Sequence, residues 1–203
     1  MQYSEFKDYL VTHLWKMGDQ VVLNSLDLII KTAEDELERD FKMEDRVTVT
    51  SLTATSNQMQ VPTDYRELRS LYPSVGKSLD YVPPSVYASL RDSNSLDRSQ
   101  FTIANRTIYL VDGGTVNASK DFELWYYKKV PRFADLGAGE VSWMAEEYFD
   151  VYLYTCLKHT APFLREDERL ATWAALGGDA MNSAQEENIE RKYAGSPIKI
   201  KFK

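Results

Sequence analysis

Residues 37–55 read LERDFKMEDRVTVTSLTAT, and the spacing of the apolar side chains changes within this stretch. Before it, from Val22 to Leu37, apolar residues recur every three or four positions, which predicts an amphipathic helix. From Val47 onward β-branched residues alternate with other residues, which is typical of a strand. We therefore expect the chain to change from helix to sheet at Arg46.

The strand pattern continues through the middle of the chain. Residues 59–61 are expected to form the antiparallel partner of the first strand, and residues 100–111 a hairpin whose turn begins at Asn105. Residues 121–128 supply an aromatic-rich strand. These segments predict a small antiparallel sheet or barrel within a β insertion domain that spans residues 47–131.

Helical spacing returns after this insertion. Ser142 is expected to cap one helix, and Asp167 begins a last long helix. The pair Gly177-Gly178 lies inside that last helix, where glycine is unfavourable relative to alanine. We interpret the pair as a site of close packing between helices.

The helices at the two ends of the chain are expected to pack on each other, because neither end can bury its apolar stripe alone. The sequence therefore predicts an α+β fold. Residues 1–46 and 140–193 form a helical bundle, residues 47–131 form the inserted small antiparallel β domain, and residues 194–203 form an extended C-terminal strand tail.

The helix before Arg46 carries a run of charged residues on the face opposite its apolar stripe. They are Glu34, Asp35, Glu36, Glu38, Arg39 and Asp40. Paired carboxylates can act as general acids and bases, but only where a pocket shifts their pKa values. The sequence indicates no such pocket, so we expect a solvated helix face.

Other candidate sites are weak. Cys156 and His159 would share a helix face, but a thiol in mid-helix lacks an oxyanion hole, so packing is the better interpretation. Residues 76–78 (Gly-Lys-Ser) resemble the end of a phosphate-binding loop, yet Leu71 stands where that loop requires glycine. With His13 as the other histidine, a zinc site is not expected. We predict no catalytic, cofactor-binding or metal-binding residues and no enzyme activity.

Composition narrows the class of partner. The formal net charge is −7 at pH 7, which argues against free binding to nucleic acid, because such binding neutralises phosphates. No apolar run approaches the roughly 18 residues of a membrane span, and the first residues lack the pattern of a signal peptide. We expect a soluble protein that folds in a cytoplasm. Its 13 Tyr and 4 Trp favour large protein interfaces.

The tail alternates apolar residues with lysines. The candidate partner-binding residues are Ile198, Lys199, Ile200, Lys201, Phe202 and Lys203. A strand needs a partner edge, and this one follows a Gly-Ser-Pro break without a local partner. Pairing with the chain's own sheet and disorder are alternatives. The functional interpretation is that the tail adds a strand to a sheet of another subunit.

Seven segments carry a family resemblance. They are residues 14–17 (LWKM), 25–40 (SLDLIIKTAEDELERD), 61–71 (VPTDYRELRSL), 79–85 (LDYVPPS), 124–131 (LWYYKKVP), 152–157 (YLYTCL) and 167–169 (DER). In this order they resemble the head-to-tail adaptor (connector) proteins of short-tailed bacteriophages. The family's usual Pro-Ala-Asp is Pro62-Thr63-Asp64 here, and the segments that carry the resemblance do not extend into the tail after Tyr193.

The resemblance implies a virion structural protein of the neck or tail, assembled in the cytoplasm of the host bacterium. It implies a homo-oligomeric ring, of twelve copies, bound beneath the portal protein. The ring extends the DNA channel, gives the tail nozzle or tail fibres a platform, and takes part in genome ejection. DNA passes without specific binding, no membrane is involved, and no catalytic residues are carried over. Acidic helical faces would line the channel.

Two other functions remain open on the residues alone. One is a different virion neck or tail protein, such as a head-completion or nozzle protein. The other is a small enzyme that acts on sugars or nucleotides through carboxylates and tyrosines.

Overall fold

A computed structural model describes residues 1–14, 19–74, 76–92, 100–111, 120–137, 140–160 and 168–193. It divides the chain into two compact units: unit 1, which combines Met1–Glu44 with Val130–Lys203, and unit 2, which is Asp45–Lys129. The helices and strands are, in chain order, α1 (Tyr3–Leu14), α2 (Gln20–Asp40), β1 (Val47–Ala54), β2 (Gln58–Gln60), β3 (Tyr65–Pro73), β4 (Asp80–Tyr81), α3 (Pro84–Asp92), β5 (Gln100–Ala104), β6 (Thr107–Leu110), β7 (Lys120–Lys128), α4 (Trp143–Glu147), α5 (Phe149–Lys158) and α6 (Arg169–Tyr193). The α+β class is confirmed.

Unit 1 is built around α2. The Asp19 side chain accepts hydrogen bonds from the backbone N–H groups of Val21 and Val22, at 3.0 and 3.4 Å. These N–H groups have no partner within the helix, so the carboxylate stabilises its start. The predicted apolar stripe is buried and consists of Val22, Leu26, Ile29, Ile30, Ala33 and Leu37.

Helices α1 and α5 bury aromatic residues against this stripe. The ring centroids of Phe6 and Tyr152 are 4.7 Å apart, and Phe133 lies 5.8 Å from Phe6. The helix predicted to start at Ser142 is two helices, because the backbone departs from helical geometry at Tyr148. Ser142 does cap the first of them, since its hydroxyl accepts a hydrogen bond from the next turn of backbone.

Helix α6 buries a narrow stripe of its surface. Trp173 and Ala184 are buried, and Leu170, Ala180 and Met181 are half-buried against the core of unit 1. Most other residues of this 25-residue helix are exposed. None of the described helices is long and apolar enough to cross a membrane.

The two glycines of α6 differ in their surroundings. A Cβ atom at Gly177 would lie 3.3 Å from the Cβ of Tyr154 on α5, whereas a Cβ at Gly178 would meet no atom within 4 Å. The predicted close packing therefore holds at Gly177 and is wrong at Gly178.

Unit 2 contains two sheets. The first has the strand order β1-β7-β3 and is antiparallel, with the aromatic-rich strand β7 at its centre. The second has the order β2-β6-β5-β4, and its last pair, β4 with β5, is parallel. The two sheets share a core of Ala54, Met59, Val61, Leu71, Phe101, Ile108, Phe122, Leu124 and Tyr126.

The predicted pairing of the first two strands is wrong. β2 pairs with β6, and the link between β1 and β2 is a single bridge between Thr55 and Gln58. The turn between them holds Ser56 and Asn57 with positive φ angles of 50° and 63°. The partner of β1 along its length is β7, far away in the sequence. The hairpin predicted at Asn105 is confirmed as the β5–β6 pair.

Hydrogen bonds hold the residues at which the chain enters and leaves unit 2. Arg46, at the start of β1, is buried and donates hydrogen bonds from Nε and Nη2 to the carbonyl oxygen of Lys128, at 3.3 and 3.1 Å. The Lys129 N–H donates to the carbonyl oxygen of Asp64 at 2.7 Å. Both contacts fix the final residues of β7 against other parts of the same unit.

Candidate interaction surfaces

Several acidic residues of α2 accept hydrogen bonds from other parts of unit 1. The Glu34 carboxylate accepts hydrogen bonds from the Phe133 backbone N–H at 2.8 Å and from the Tyr152 hydroxyl at 2.9 Å. Glu38 accepts from the backbone N–H of Val130 at 3.1 Å. The prediction of a solvated face is therefore wrong for these residues, because the chain returns from unit 2 along this face and needs acceptors for its N–H groups.

Two further residues of the same face form ion pairs. Asp35 lies 2.9 Å from the Arg132 guanidinium. Glu36 accepts hydrogen bonds from the Lys158 ammonium and the His159 ring. The acidic run thus connects α2 to both the segment after unit 2 and the end of α5.

Burial and hydrogen bonding act in opposite directions on these glutamates. Burial raises the pKa of Glu34, and the bonds from Phe133 and Tyr152 only partly offset it. Burial also disfavours the ionised form of Glu36, but the bonds from Lys158 and His159 outweigh it and lower its pKa. Both shifts arise from contacts within unit 1 that hold α2 against residues 133–159.

Cys156, which was considered as a nucleophile, also lies in the interior of the protein. Cys156 is fully buried, and burial raises the pKa of its thiol well above the ordinary value. A buried thiol with a raised pKa is a poor nucleophile, because the thiolate is the reactive form. The packing interpretation of Cys156 is confirmed, and His159 is held by Glu36 at 2.8 Å.

The described residues contain no group of three or more His, Cys, Asp or Glu side chains that could hold a metal ion. Residues 76–78 lie in an exposed bend between β3 and β4, so the next element after them is a strand and not a helix. The helix N-terminus that a phosphate-binding loop needs is therefore absent at this position.

One apolar surface lies on the outer face of the β1-β7-β3 sheet. Trp125 of β7 stands beside Val49 of β1 and packs edge-on against Tyr72 of β3, with ring centroids 6.3 Å apart. Val49 is 44% exposed and Tyr72 is 38% exposed. Such an aromatic cluster with a polar rim, here Arg69 and Glu123 among others, is typical of protein interfaces.

The indole N–H of Trp125 has no hydrogen-bond acceptor among the described residues. Its Nε1 atom is buried. A buried donor without an acceptor costs free energy, so this indole destabilises the sheet slightly.

Helix α6 exposes three large apolar side chains, of which Ile189 and Tyr193 lie one turn apart on the same face. Leu176, Ile189 and Tyr193 are exposed at 40%, 56% and 61% of their surface. They lie outside the stripe that packs on unit 1. A helix of 25 residues that buries so little of itself offers a long face to another molecule.

The predicted partner-binding residues, Ile198 to Lys203, lie outside the described residues. Sequence reasoning missed the sheet surface around Trp125 as a specific site, because Val49, Tyr72 and Trp125 come from three separated strands. It also missed β1 as a strand with a free side, a feature considered below.

These observations define a class: a protein whose exposed apolar side chains suit assembly with other proteins and whose described residues contain no cluster of three or more possible metal ligands. The family model described as SU10 adaptor protein matches residues 1–200, and the chain belongs to this family of phage head-to-tail adaptor proteins. It is thus a structural protein of the virion. No curated protein matches the chain.

Proposed function

We propose that the protein forms a closed ring beneath the portal, extends the DNA channel and gives the tail nozzle or tail fibres their attachment platform. The observation that carries this proposal is the family match, which spans residues 1–200 and therefore both units. Twelve copies is the number that the resemblance implies. Each copy contacts the next through a heterologous interface, which closes into a ring only if the rotation per copy is right.

The exposed surfaces support this role. A subunit of a ring needs at least two different contact surfaces for its neighbours and a further one for the portal or the tail. Unit 2 offers the face around Trp125, and unit 1 offers the face of α6 with Ile189 and Tyr193. The two faces come from different units and are therefore different patches of the chain, as a heterologous contact requires.

The lining of the channel needs a different assignment from the one the sequence suggested. The carboxylates of Glu34, Glu36 and Glu38 are engaged within unit 1. Exposed carboxylates such as Glu186 and Glu190 on α6 are better placed to face passing DNA. Like charge would keep the DNA from adhering during ejection.

The tail anchors the ring in this proposal. Ile198, Ile200 and Phe202 insert as a strand against the portal or a neighbouring copy, and the lysines face acidic residues or solvent. Burying three such side chains contributes about 1.5–3 kcal/mol each before the cost of ordering, and the ring multiplies the effect by avidity.

Deletion of residues 197–203 tests the attachment. These residues follow α6, so circular dichroism and the unfolding midpoint of the truncated protein should match those of the full chain. Stable attachment to portal-bearing heads, measured by co-sedimentation, should be lost. Replacement of the three lysines by serine, with the apolar residues kept, is the matched control. Normal attachment of the truncated protein would contradict this role of the tail.

The enzyme alternative has its own test. Thermal unfolding should be unchanged by ATP, zinc or magnesium, because only a ligand that binds the folded state raises the midpoint. A reproducible rise of several degrees with any of them would favour a ligand-binding function over a purely structural one.

A further inference from the structure

Strand β1 has a free side. It pairs with β7 over eight consecutive residues, from Val47 to Ala54, with no bulge in the register. On its other side no described strand pairs with it, apart from the bridge between Thr55 and Gln58 just beyond its end. A row of backbone N–H and C=O groups is therefore available there to another strand.

The other sheet edges are protected in the usual ways. β3 has two register shifts and ends at Pro73. It also carries three charged residues, Arg66, Glu67 and Arg69. β2 has three residues and β4 has two, and prolines follow both. Short strands, bulges, charges and prolines all prevent pairing with a further chain.

β1 has none of these protections. Its sequence, VTVTSLTA, contains no charge, no proline and no glycine, and three of its residues are threonine. A long, regular, uncharged edge is a site of unwanted association unless something covers it. This edge therefore indicates that a strand from elsewhere pairs with it in the assembled protein.

The two faces of β1 have different character. Thr48, Thr50 and Leu52 are half-buried at the margin of the core of unit 2. Val49, Ser51 and Thr53 are exposed on the other face, where Val49 lies beside Trp125 and the other two lie opposite Glu123 and Asp121 of β7. A strand that suits this edge has apolar residues on the first face and, beside Ser51 and Thr53, cationic residues on the second.

Residues 198–203 have that alternation. Ile198, Ile200 and Phe202 would extend the core face beside Leu52, and the intervening lysines would lie on the face of Ser51. Ser51 is small, so a lysine on the added strand has room to extend across it toward Glu123. The stretch 191–203 has five basic residues and no acidic one, which complements these carboxylates.

We propose that the free edge of β1 receives residues 198–203 of a neighbouring copy as an added strand. This inference rests on the proposed ring and names its lateral contact. Each copy both donates a strand and accepts one, so every β1 edge in a closed ring is covered and every donated strand has a partner. The three apolar side chains set the register, because a slip of one residue would turn them to the solvent face.

Single-cysteine copies test the contact. The native Cys156 is fully buried, so it contributes little to pairing with introduced cysteines. One preparation carries Ser51→Cys, and others carry Lys199→Cys, Lys201→Cys or Lys203→Cys. The two kinds of copy are mixed, loaded on portal-bearing heads that lack the adaptor, and oxidised. Because the two cysteines are on different chains, any product between them is intermolecular.

The expected result is a dimer of the two kinds of copy on non-reducing gels for at least one lysine position. Thr50→Cys is the matched control, because it lies on the same strand but faces the other way. It should give about tenfold less product, since cysteines on opposite faces cannot meet disulfide geometry.

Each other outcome contradicts the inference in its own way. Equal product from Ser51→Cys and Thr50→Cys, or no product from copies that have attached to heads, would exclude β1 as the acceptor while leaving the adaptor role intact. Cross-linking confined within one chain, in a double-cysteine copy, would show that the tail covers its own sheet. Failure of the protein to attach to heads at all would overturn the proposed function and this inference with it.

Discussion

Glu34 and Glu36 lie two positions apart on α2 and stabilise unit 1 by different means. Glu34 is mostly buried and supplies an acceptor to two donors that come from distant parts of the chain, Phe133 and Tyr152. Glu36 pairs with the Lys158 ammonium and the His159 ring at the end of α5. The first residue serves as a hydrogen-bond acceptor, and its charge is a disadvantage, whereas the second depends on its charge.

Substitution of Glu34 separates the acceptor from the charge. Glu34→Ala leaves the Phe133 N–H and the Tyr152 hydroxyl without an acceptor and should lower the free energy of unfolding by about 2–4 kcal/mol. Glu34→Gln keeps an acceptor oxygen and removes the buried charge, so it should cost about 1 kcal/mol or less. Urea denaturation at neutral pH measures both. Equal losses for the two variants would contradict the account.

The two glutamates should also give opposite dependences on pH. The folded-state pKa of Glu34 is raised above the ordinary value of 4.5, so its contribution to stability is lost as the pH rises through the folded pKa. The stability of Glu34→Gln relative to the native chain should therefore increase as the pH rises from about 4 to 7.

The pKa of Glu36 is lowered from 4.5, so its contribution is present above that value and is lost as the pH falls through the lower folded pKa. The stability of Glu36→Gln relative to the native chain should decrease with rising pH. Urea denaturation at a series of pH values measures both differences. Parallel curves for the two variants would contradict the assigned environments.

At the scale of elements, the local features could be predicted from the sequence and the long-range ones could not. Asp19 and Ser142 cap helices through atoms two or three residues away, so the residue type and its position suffice. The partner of β1 is β7, more than sixty residues later, and alternation indicates a strand without naming its partner. Glu34 was misjudged for the same reason, because its donors are Phe133 and Tyr152.

The two glycines of α6 offer a matched test of helix packing. Gly178→Ala adds a methyl group in open space, so it should raise the free energy of unfolding by about 0.5–1 kcal/mol through helix propensity alone. Gly177→Ala places its methyl group 3.3 Å from Tyr154, so strain should cancel or exceed the same gain. Thermal or urea unfolding of the two variants gives the comparison. A gain at Gly177 as large as that at Gly178 would show that α6 does not pack closely on α5.

At the scale of the whole molecule, the family assignment and the exposed surfaces both support a role in assembly. Unit 1 presents the long face of α6, and unit 2 presents the Trp125 face and the free side of β1. Of the catalytic candidates of the sequence, Glu34, Glu36, Cys156 and His159 are engaged in internal contacts, and residues 76–78 lie in an exposed bend. These features suit a structural protein that acts through its contacts with other copies and with other virion proteins.

The central claim is that copies of this chain form a closed ring beneath the portal, and a reconstruction of the virion by electron cryo-microscopy tests it most directly. The account predicts density for a ring of identical subunits between the portal and the tail, each fitted by the two units described above. The predicted number of subunits is twelve. A single isolated copy in the virion, or a ring located away from the portal, would contradict the claim.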